Sequence, residues 1–482
     1  MSSPTLPPVR TVEVCPPPVT ATFGVCTEAL GTEKHAEQVT VSDEAQYFAR
    51  AAARRWWRLP LVAIIVWWAI CFGLYASKWP IAYLHVNFGE VITIVTGALA
   101  ASGIAYALSY KASFGSTFAR LPQRPTLVPI LGVTILVILF IPTVQAYSGY
   151  GVSQLGAALQ NQSSAYQLGT DRISEGIGSR GSLVVVSTLV APLTLTSLPY
   201  FALTWFEERR HLLAFFVSVA LPVLTAILVG RSQQLGVAGI SILGSWLVSR
   251  CRRRKGFGAR NVMVGAGLAV LMALGFAVSK VGRTSGELPC PPGSATCLGV
   301  DPNPSIWHTT TTIIASYASQ GFEGLGRAFN GTWVSGGGYT HSPALTNFID
   351  PSITSQPDLP ITYQLDQLDW SSTGYWSTAF ANIANDVPWV LVPLVIAAFG
   401  WLLGTSWRSA SLRGDWLSVS VFVYTWLSLL YVPQNLQIAG SGPLYVGYLV
   451  LVCCYLVRGA RRVDSRWRRL VRAADAYTVT AV

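Results

Sequence analysis

The chain has 482 residues and a formal net charge of +11; 51% of its residues are hydrophobic and only 11% are charged. A soluble domain carries roughly 25% charged residues, so this composition excludes an ordinary water-soluble enzyme. The basic surplus does not indicate nucleic acid either, because arginines and lysines sit in short connectors between long apolar runs.

Residues 1–55 are predicted to form a disordered cytoplasmic tail. Residues 1–27 are rich in Pro, Thr and Val, and they lack the basic start and apolar core of a signal peptide. Apolar runs then recur near 57–76, 88–110, 125–146, 183–205, 211–229, 235–249, 262–280, 388–405, 416–433 and 442–457. Each approaches the roughly 20 residues a crossing helix needs, although 235–249 and 442–457 are short. A backbone in hydrocarbon must satisfy its own hydrogen bonds, which helices do. The expected fold is therefore all-α: a polytopic membrane protein of about ten transmembrane helices with one long extracytoplasmic loop. Spans one to seven fill 56–280, the loop is 281–387, spans eight to ten fill 388–457, and 458–482 is a basic cytoplasmic tail.

Orientation follows from the basic residues. With both termini in the cytoplasm, 26 of the 33 lysines and arginines fall on the inner side, and every inner connector is basic. The protein is thus expected in the cytoplasmic membrane. Two outer segments are long: 147–182, rich in Gly, Ser and Gln, and the 107 residues of 281–387. The second contains helix-like stretches near 308–330 and 372–386, separated by Gly336-Gly337-Gly338 and by the proline-rich 351–360. Loops of that length are usually functional. Of eight cysteines, Cys290 and Cys297 lie outside and are positioned to close a small disulfide. No spacing suggests a metal site.

The outer arginines are candidates for anion binding, since a guanidinium at the headgroup level can grip a phosphate with two hydrogen bonds. Arg231 lies in a connector of a few residues, where a headgroup or topology role competes with that one. Arg172 and Arg180 have Asp171 and Glu175 nearby, so local ion pairs compete. Arg327 has Glu323 four residues before it, the spacing of an ordinary helix pair. Outer carboxylates, among them Asp366, Asp369 and Asp386, and the loop histidines His308 and His341 are candidate general bases toward a sugar hydroxyl. Asp386 also suits capping of the following span, with Pro388 in its first turn. Glu90 is read as an ionisable group within a span, which is functional by default. The loop's aromatic residues, Tyr317, Tyr339, Trp370 and Trp376 among them, can stack on the apolar face of a sugar ring or form an interfacial belt.

Three stretches carry a family likeness. They are Gly230-Arg231-Ser232; Tyr317-x-x-x-Gly321-x-x-Gly324-Leu325 followed by Gly338-Tyr339-Thr340; and Tyr375-Trp376-Ser377-Thr378-x-Phe380, then Asp386 and a span ending at Gly404. Together with the layout of residues 125–405 they resemble O-antigen (Wzy-type) or oligosaccharide repeat-unit polymerases. The chain departs from that pattern at Asp386-Val387-Pro388, where the family tends to read Asp-Phe-Gly. The resemblance implies a glycosyltransferase, independent of metal and cofactor, at the outer leaflet. Its donor would be a glycan on undecaprenyl diphosphate and its acceptor a repeat unit on the same lipid. Arg231, Arg172, Arg180 and Arg327 would meet the diphosphate; Tyr317, Tyr339, Trp370 and Trp376 would hold sugar; and the base would come from His341, Asp366, Asp369 and Asp386. Expected partners are the lipid-linked oligosaccharide, membrane lipids, a flippase and a chain-length regulator, with no nucleic acid. A lipid-A-core or teichoic-type ligase shares the architecture and donor. A lipid-linked oligosaccharide flippase is the non-enzymatic alternative, although no two matching halves are visible.

Overall fold

The computed structural model describes residues 56–112, 127–148, 182–229, 233–253, 306–350, 352–353, 358–371 and 375–459, with the isolated residues 263, 265, 267 and 270. All regular structure among them is helical. In chain order the helices are α1 Leu59–Ala76, α2 Phe88–Ala112, α3 Leu127–Ser148, α4 Ser182–Glu208, α5 Leu212–Leu228 and α6 Gln233–Arg252. Then come α7 Ile306–Ala328, α8 Pro343–Ile349, α9 Ile361–Gln364, α10 Ala379–Ala384, α11 Val392–Arg413, α12 Trp416–Tyr431 and α13 Gly442–Gly459.

Nine of the ten predicted spans coincide with one of these helices; the tenth, 262–280, lies almost entirely outside the described residues. Six helices are long and apolar enough to cross a membrane: α1 to α4, α11 with its 3-10 lead-in from Trp389, and α13. α5 and α12 are apolar but shorter, at 17 and 16 residues. α6 carries Gln233, Gln234 and three serines and is not among the six. The outward faces of the long helices are greasy, with Val62, Val66 and Ile70 exposed on α1 and Ile104 and Leu108 on α2. In water such surface would drive aggregation; in lipid it is solvated.

The tightest seam joins α2 to α11. Gly400 and Gly404 are spaced G-x-x-x-G on α11, and they face the small residues Ser102 and Ser109 of α2. A Cβ on Gly400 would lie 2.8 Å from Ser102 Cα, and one on Gly404 would lie 2.6 Å from the Tyr106 carbonyl. Lipid tails are as apolar as side chains, so such close backbone packing is what holds two membrane helices together. Gly400→Val is expected to push the helices apart and to destabilise the protein by about 1–3 kcal/mol. A thermal unfolding midpoint in detergent unchanged by that substitution would contradict the seam.

α11 runs past the predicted end at residue 405 because the polar sequence after Gly404 remains helical until Gly414, whose φ of +65° ends it. Asp415 then caps α12 through the Ser418 N–H at 3.2 Å.

The described part of 281–387 is packed into the bundle. α7 lies against α1 and α2 and is buried from Ala318 through Ala328. Its glycines allow the approach: Gly321 sits on the Pro433 carbonyl and Gly326 on the Val86 carbonyl. Phe322 meets Phe72 edge-on at 5.4 Å. The predicted stretch 308–330 matches α7, whereas the described residues of 372–386 contain only the short α10.

After α12 the chain turns through Val432 to Leu436 before the 3-10 segment Gln437–Gly440, and groups from distant segments brace this stretch. Trp67 and Trp68 indoles donate to the Leu430 and Leu429 carbonyls at 2.8 and 2.7 Å. The Val432 carbonyl accepts from the Ala379 N–H at 3.0 Å, and Asn382 Oδ1 accepts from the Leu436 N–H at 3.1 Å. This break sets where α13 begins, and so where Tyr445 stands.

Candidate functional site

The site forms where three distant segments meet: the loop 336–342, the turn after α10 and the first turn of α13. Gly337 and Gly338 have φ of +75° and +88°, a region L-residues avoid, and they curl the loop so that successive N–H groups point inward. A Cβ on Gly336 would collide with the Thr340 side chain. Asp386 fills the resulting arch. Its Oδ1 accepts from the Gly338 N–H at 3.0 Å, the Thr340 N–H at 3.2 Å and the Thr340 hydroxyl at 2.7 Å. Its Oδ2 accepts from the His341 N–H at 2.8 Å and faces His341 Nδ1 at 2.5 Å. The neighbouring Asn385 donates to the Thr340 carbonyl at 2.9 Å, and the Ser342 hydroxyl donates to the Ala439 carbonyl at 2.8 Å.

Burial by itself pushes the Asp386 carboxyl upward, but the hydrogen bonds from His341 and Thr340 outweigh it and hold it at about 2. A carboxylate accepting several hydrogen bonds in its charged form behaves in this way. A group depressed from 3.8 adds stability above that pH and loses it as the pH falls toward about 2. The thermal midpoint of the wild type is therefore expected to drop between pH 4 and pH 2 more steeply than that of Asp386→Asn. Parallel curves for the two proteins would show that the arch does not hold the charge.

Because Asp386 is anionic it accepts, so His341 Nδ1 carries a proton. In the neutral imidazole Nε2 is then the acceptor, and the Tyr445 hydroxyl meets it at 2.5 Å. The His341 side chain is 20% exposed and that of Asp386 7%, so the imidazole borders solvent while its partner is covered. A neutral imidazole oriented by a buried carboxylate can take a proton from a hydroxyl, and the imidazolium formed is stabilised in place.

The other candidate residues fall in three groups. Arg231, Arg172, Arg180, Cys290 and Cys297 lie outside the described residues. Asp366 and Asp369 are exposed on the 3-10 turn after α9, and Asp369 adopts a left-handed conformation. Arg327 is buried: its guanidinium lies 3.4 Å from Glu323, donates to the Leu368 and Asp369 carbonyls at 3.0 and 2.9 Å, and covers the face of Trp370 at 5.6 Å. Glu323 in turn accepts from the Tyr75 hydroxyl at 3.4 Å and the His85 N–H at 3.1 Å. This cluster fastens α7 to α1 and to the 77–87 connector. Trp370 is buried, whereas Tyr317 and Trp376 form a half-buried edge-to-face pair at 4.7 Å, and half-buried Tyr339 precedes the arch residue Thr340.

Two expectations change. Asp386 does not cap the next span: Pro388 and Leu391 occupy the cap positions of the 3-10 turn and of α11, and the carboxylate turns back to the 336–342 loop. Its five donors there outcompete a single helix terminus. Glu90 is not deep within a span; it is exposed in the first turn of α2, where it complements the helix dipole. The sequence reading missed Tyr445. It sits among apolar residues of a span with nothing local to mark it, and only the start of α13 aims it at His341.

A cavity of about 280 Å³ lies between α3, α4, α5, α6, α12 and the first turn of α13. Its walls are mainly aliphatic, with Leu139, Leu195, Leu221 and Leu444 among them, and no charged residue lines it. The Gln234 side-chain carbonyl, also on its wall, is buried without a hydrogen-bond partner among the described residues. Among those residues no group of three or more His, Cys, Asp and Glu side chains gathers as a metal site would. No family model matches the chain, and searches of curated proteins and of solved structures return no match.

Proposed function

We propose that this chain is a membrane glycosyltransferase that polymerises lipid-diphosphate-linked oligosaccharide repeat units at the outer face of the cytoplasmic membrane. The observation that carries the reading is the oriented pair of Asp386 and His341 on a bundle of membrane-type helices. His341 takes the proton of an acceptor sugar hydroxyl, and the freed oxygen attacks the anomeric carbon of the donor glycan. The bond from that carbon to the lipid diphosphate breaks, and the electron pair leaves with the phosphate oxygen. Asp386 keeps the imidazole in the reactive tautomer and offsets the charge it gains. Arg231, Arg172 and Arg180 meet the charge developing on the leaving diphosphate. Tyr339 and Trp376 offer half-buried aromatic faces for sugar.

Two further features favour a lipid-borne substrate. The cavity has apolar walls and no charge, which suits one hydrocarbon chain. Pro443 and Leu444 on its wall directly precede Tyr445, the partner of His341, so the cavity lies next to the proposed base. In this reading the chain has ten spans and both termini in the cytoplasm, which puts His341 on the outer side.

The test is the surface glycan of a deletion strain displayed as a size ladder. Collapse to a single repeat unit, restored by the wild-type gene, is the expected result. An unchanged ladder would refute the polymerase. Repeat units trapped on the inner leaflet would identify a flippase, and a normal polymer left on its lipid carrier would identify a ligase.

A further inference from the structure

The two ring nitrogens of His341 are held in different ways. Nδ1 faces Asp386, which also grips the loop backbone, so that contact cannot open without undoing the arch. Nε2 is met by the Tyr445 hydroxyl, which comes from a separate element, the first turn of α13. The rings stand edge to face, 5.4 Å apart and inclined at 71°, and Tyr445 reaches the nitrogen with its hydroxyl tip. A small rotation of one half-buried side chain would vacate Nε2 and leave the rest of the site in place.

Nε2 has one lone pair, so it accepts one hydroxyl at this distance. Any substrate hydroxyl that gives its proton to Nε2 must therefore take the place Tyr445 holds. We propose, building on the glycosyltransferase reading, that Tyr445 is an exchangeable cap on the base. Its hydroxyl imitates the acceptor hydroxyl, satisfies Nε2 while no acceptor is present, and yields when one arrives. A partly buried imidazole with a bare Nε2 would otherwise bind water. Water on that nitrogen is a competing nucleophile toward the donor, so the cap also protects the lipid-linked glycan from hydrolysis. Tyr445 acts here as a positioning and selectivity residue; the proton passes from acceptor to His341.

The test uses the full-length protein in phospholipid nanodiscs and diethyl pyrocarbonate, which acylates an unoccupied imidazole nitrogen. Peptide mass spectrometry follows His341, with His308, exposed on α7, as the internal reference. Tyr445→Phe is expected to speed His341 modification about fivefold, the effect of losing roughly one net hydrogen bond, while His308 keeps its rate. Equal His341 rates in wild type and variant would overturn the cap. The second arm supplies lipid-linked oligosaccharide extracted from the deletion strain. Tyr445→Phe should then lower the half-saturating concentration and raise the share of donor lost to hydrolysis. A tenfold or greater fall in turnover at saturation, with no gain in hydrolysis, would make Tyr445 a proton donor and overturn the cap. If His341 is unmasked but neither protein consumes the lipid, the cap stands and the glycosyltransferase reading fails.

Discussion

His341→Ala is expected to reduce the surface polymer to its single repeat unit, with a loss in rate of about 10²–10⁴-fold, the usual contribution of a positioned general base. In the proposed reaction the side chain supplies the lone pair that an acceptor hydroxyl needs, and the nearest carboxylate cannot replace it. Asp386 is already committed to five donors and held at about 2, so it is a poor base at neutral pH. Asp386→Asn should fall nearly as far for a different reason. An amide can present its NH₂ to Nδ1, which reverses the tautomer and leaves Nε2 protonated. Loss of the ladder must be read beside a melting curve, because Asp386 also holds the arch. A well-folded His341→Ala protein that still polymerises would place the base elsewhere, with Asp366 and Asp369 next in line.

Glu323→Ala should produce the largest loss of stability, roughly 3–5 kcal/mol, the usual consequence of removing one partner of a buried ion pair. Glu323 is 2% exposed and Arg327 6%, so the guanidinium would remain in the interior without its anion. The Tyr75 hydroxyl and the His85 N–H would lose their acceptor at the same time. Glu323→Gln keeps an acceptor for both and should cost less than the alanine variant. The readout is the thermal midpoint in detergent, together with the amount of protein in the membrane. If Glu323→Ala melts with the wild type, the cluster does not fasten α7. Because Arg327 serves this cluster, its replacement should show first as lost stability. An arginine that touches only substrate would leave the melting curve alone.

The helices were legible because burial in lipid demands long apolar runs, and nothing else in a chain looks like them. α1 to α4 appear within a few residues of their predicted bounds. α11 overran because Ser and Arg after Gly404 support a helix as well as they support a connector. The long segment 281–387 was the harder case. Its composition is mixed, and the fact that α7 is buried rests on Gly321 and Gly326, which read as ordinary glycines until the carbonyls they admit are known. The three consecutive glycines read as a separator between helices; two of them turn out to shape the arch around Asp386.

From the sequence alone came the membrane class, the positions of the long apolar helices, the expected orientation and a pool of titratable candidates that already contained His341 and Asp386. These follow from local properties: hydropathy over a window, charge on a connector, residue type. The tertiary structure decided which members of the pool meet. Asp386 and His341 are 45 positions apart and Tyr445 lies a further 104 from His341, so their convergence depends on how helices pack and where α12 gives way to α13. It also decided between the alternatives that the sequence left open for two candidates. Asp386 became the anchor of an imidazole, and Arg327 the partner of a buried carboxylate. The i,i+4 spacing already offered the Glu323 pair for Arg327, but its burial, and the arch around Asp386, come from groups supplied by distant parts of the chain.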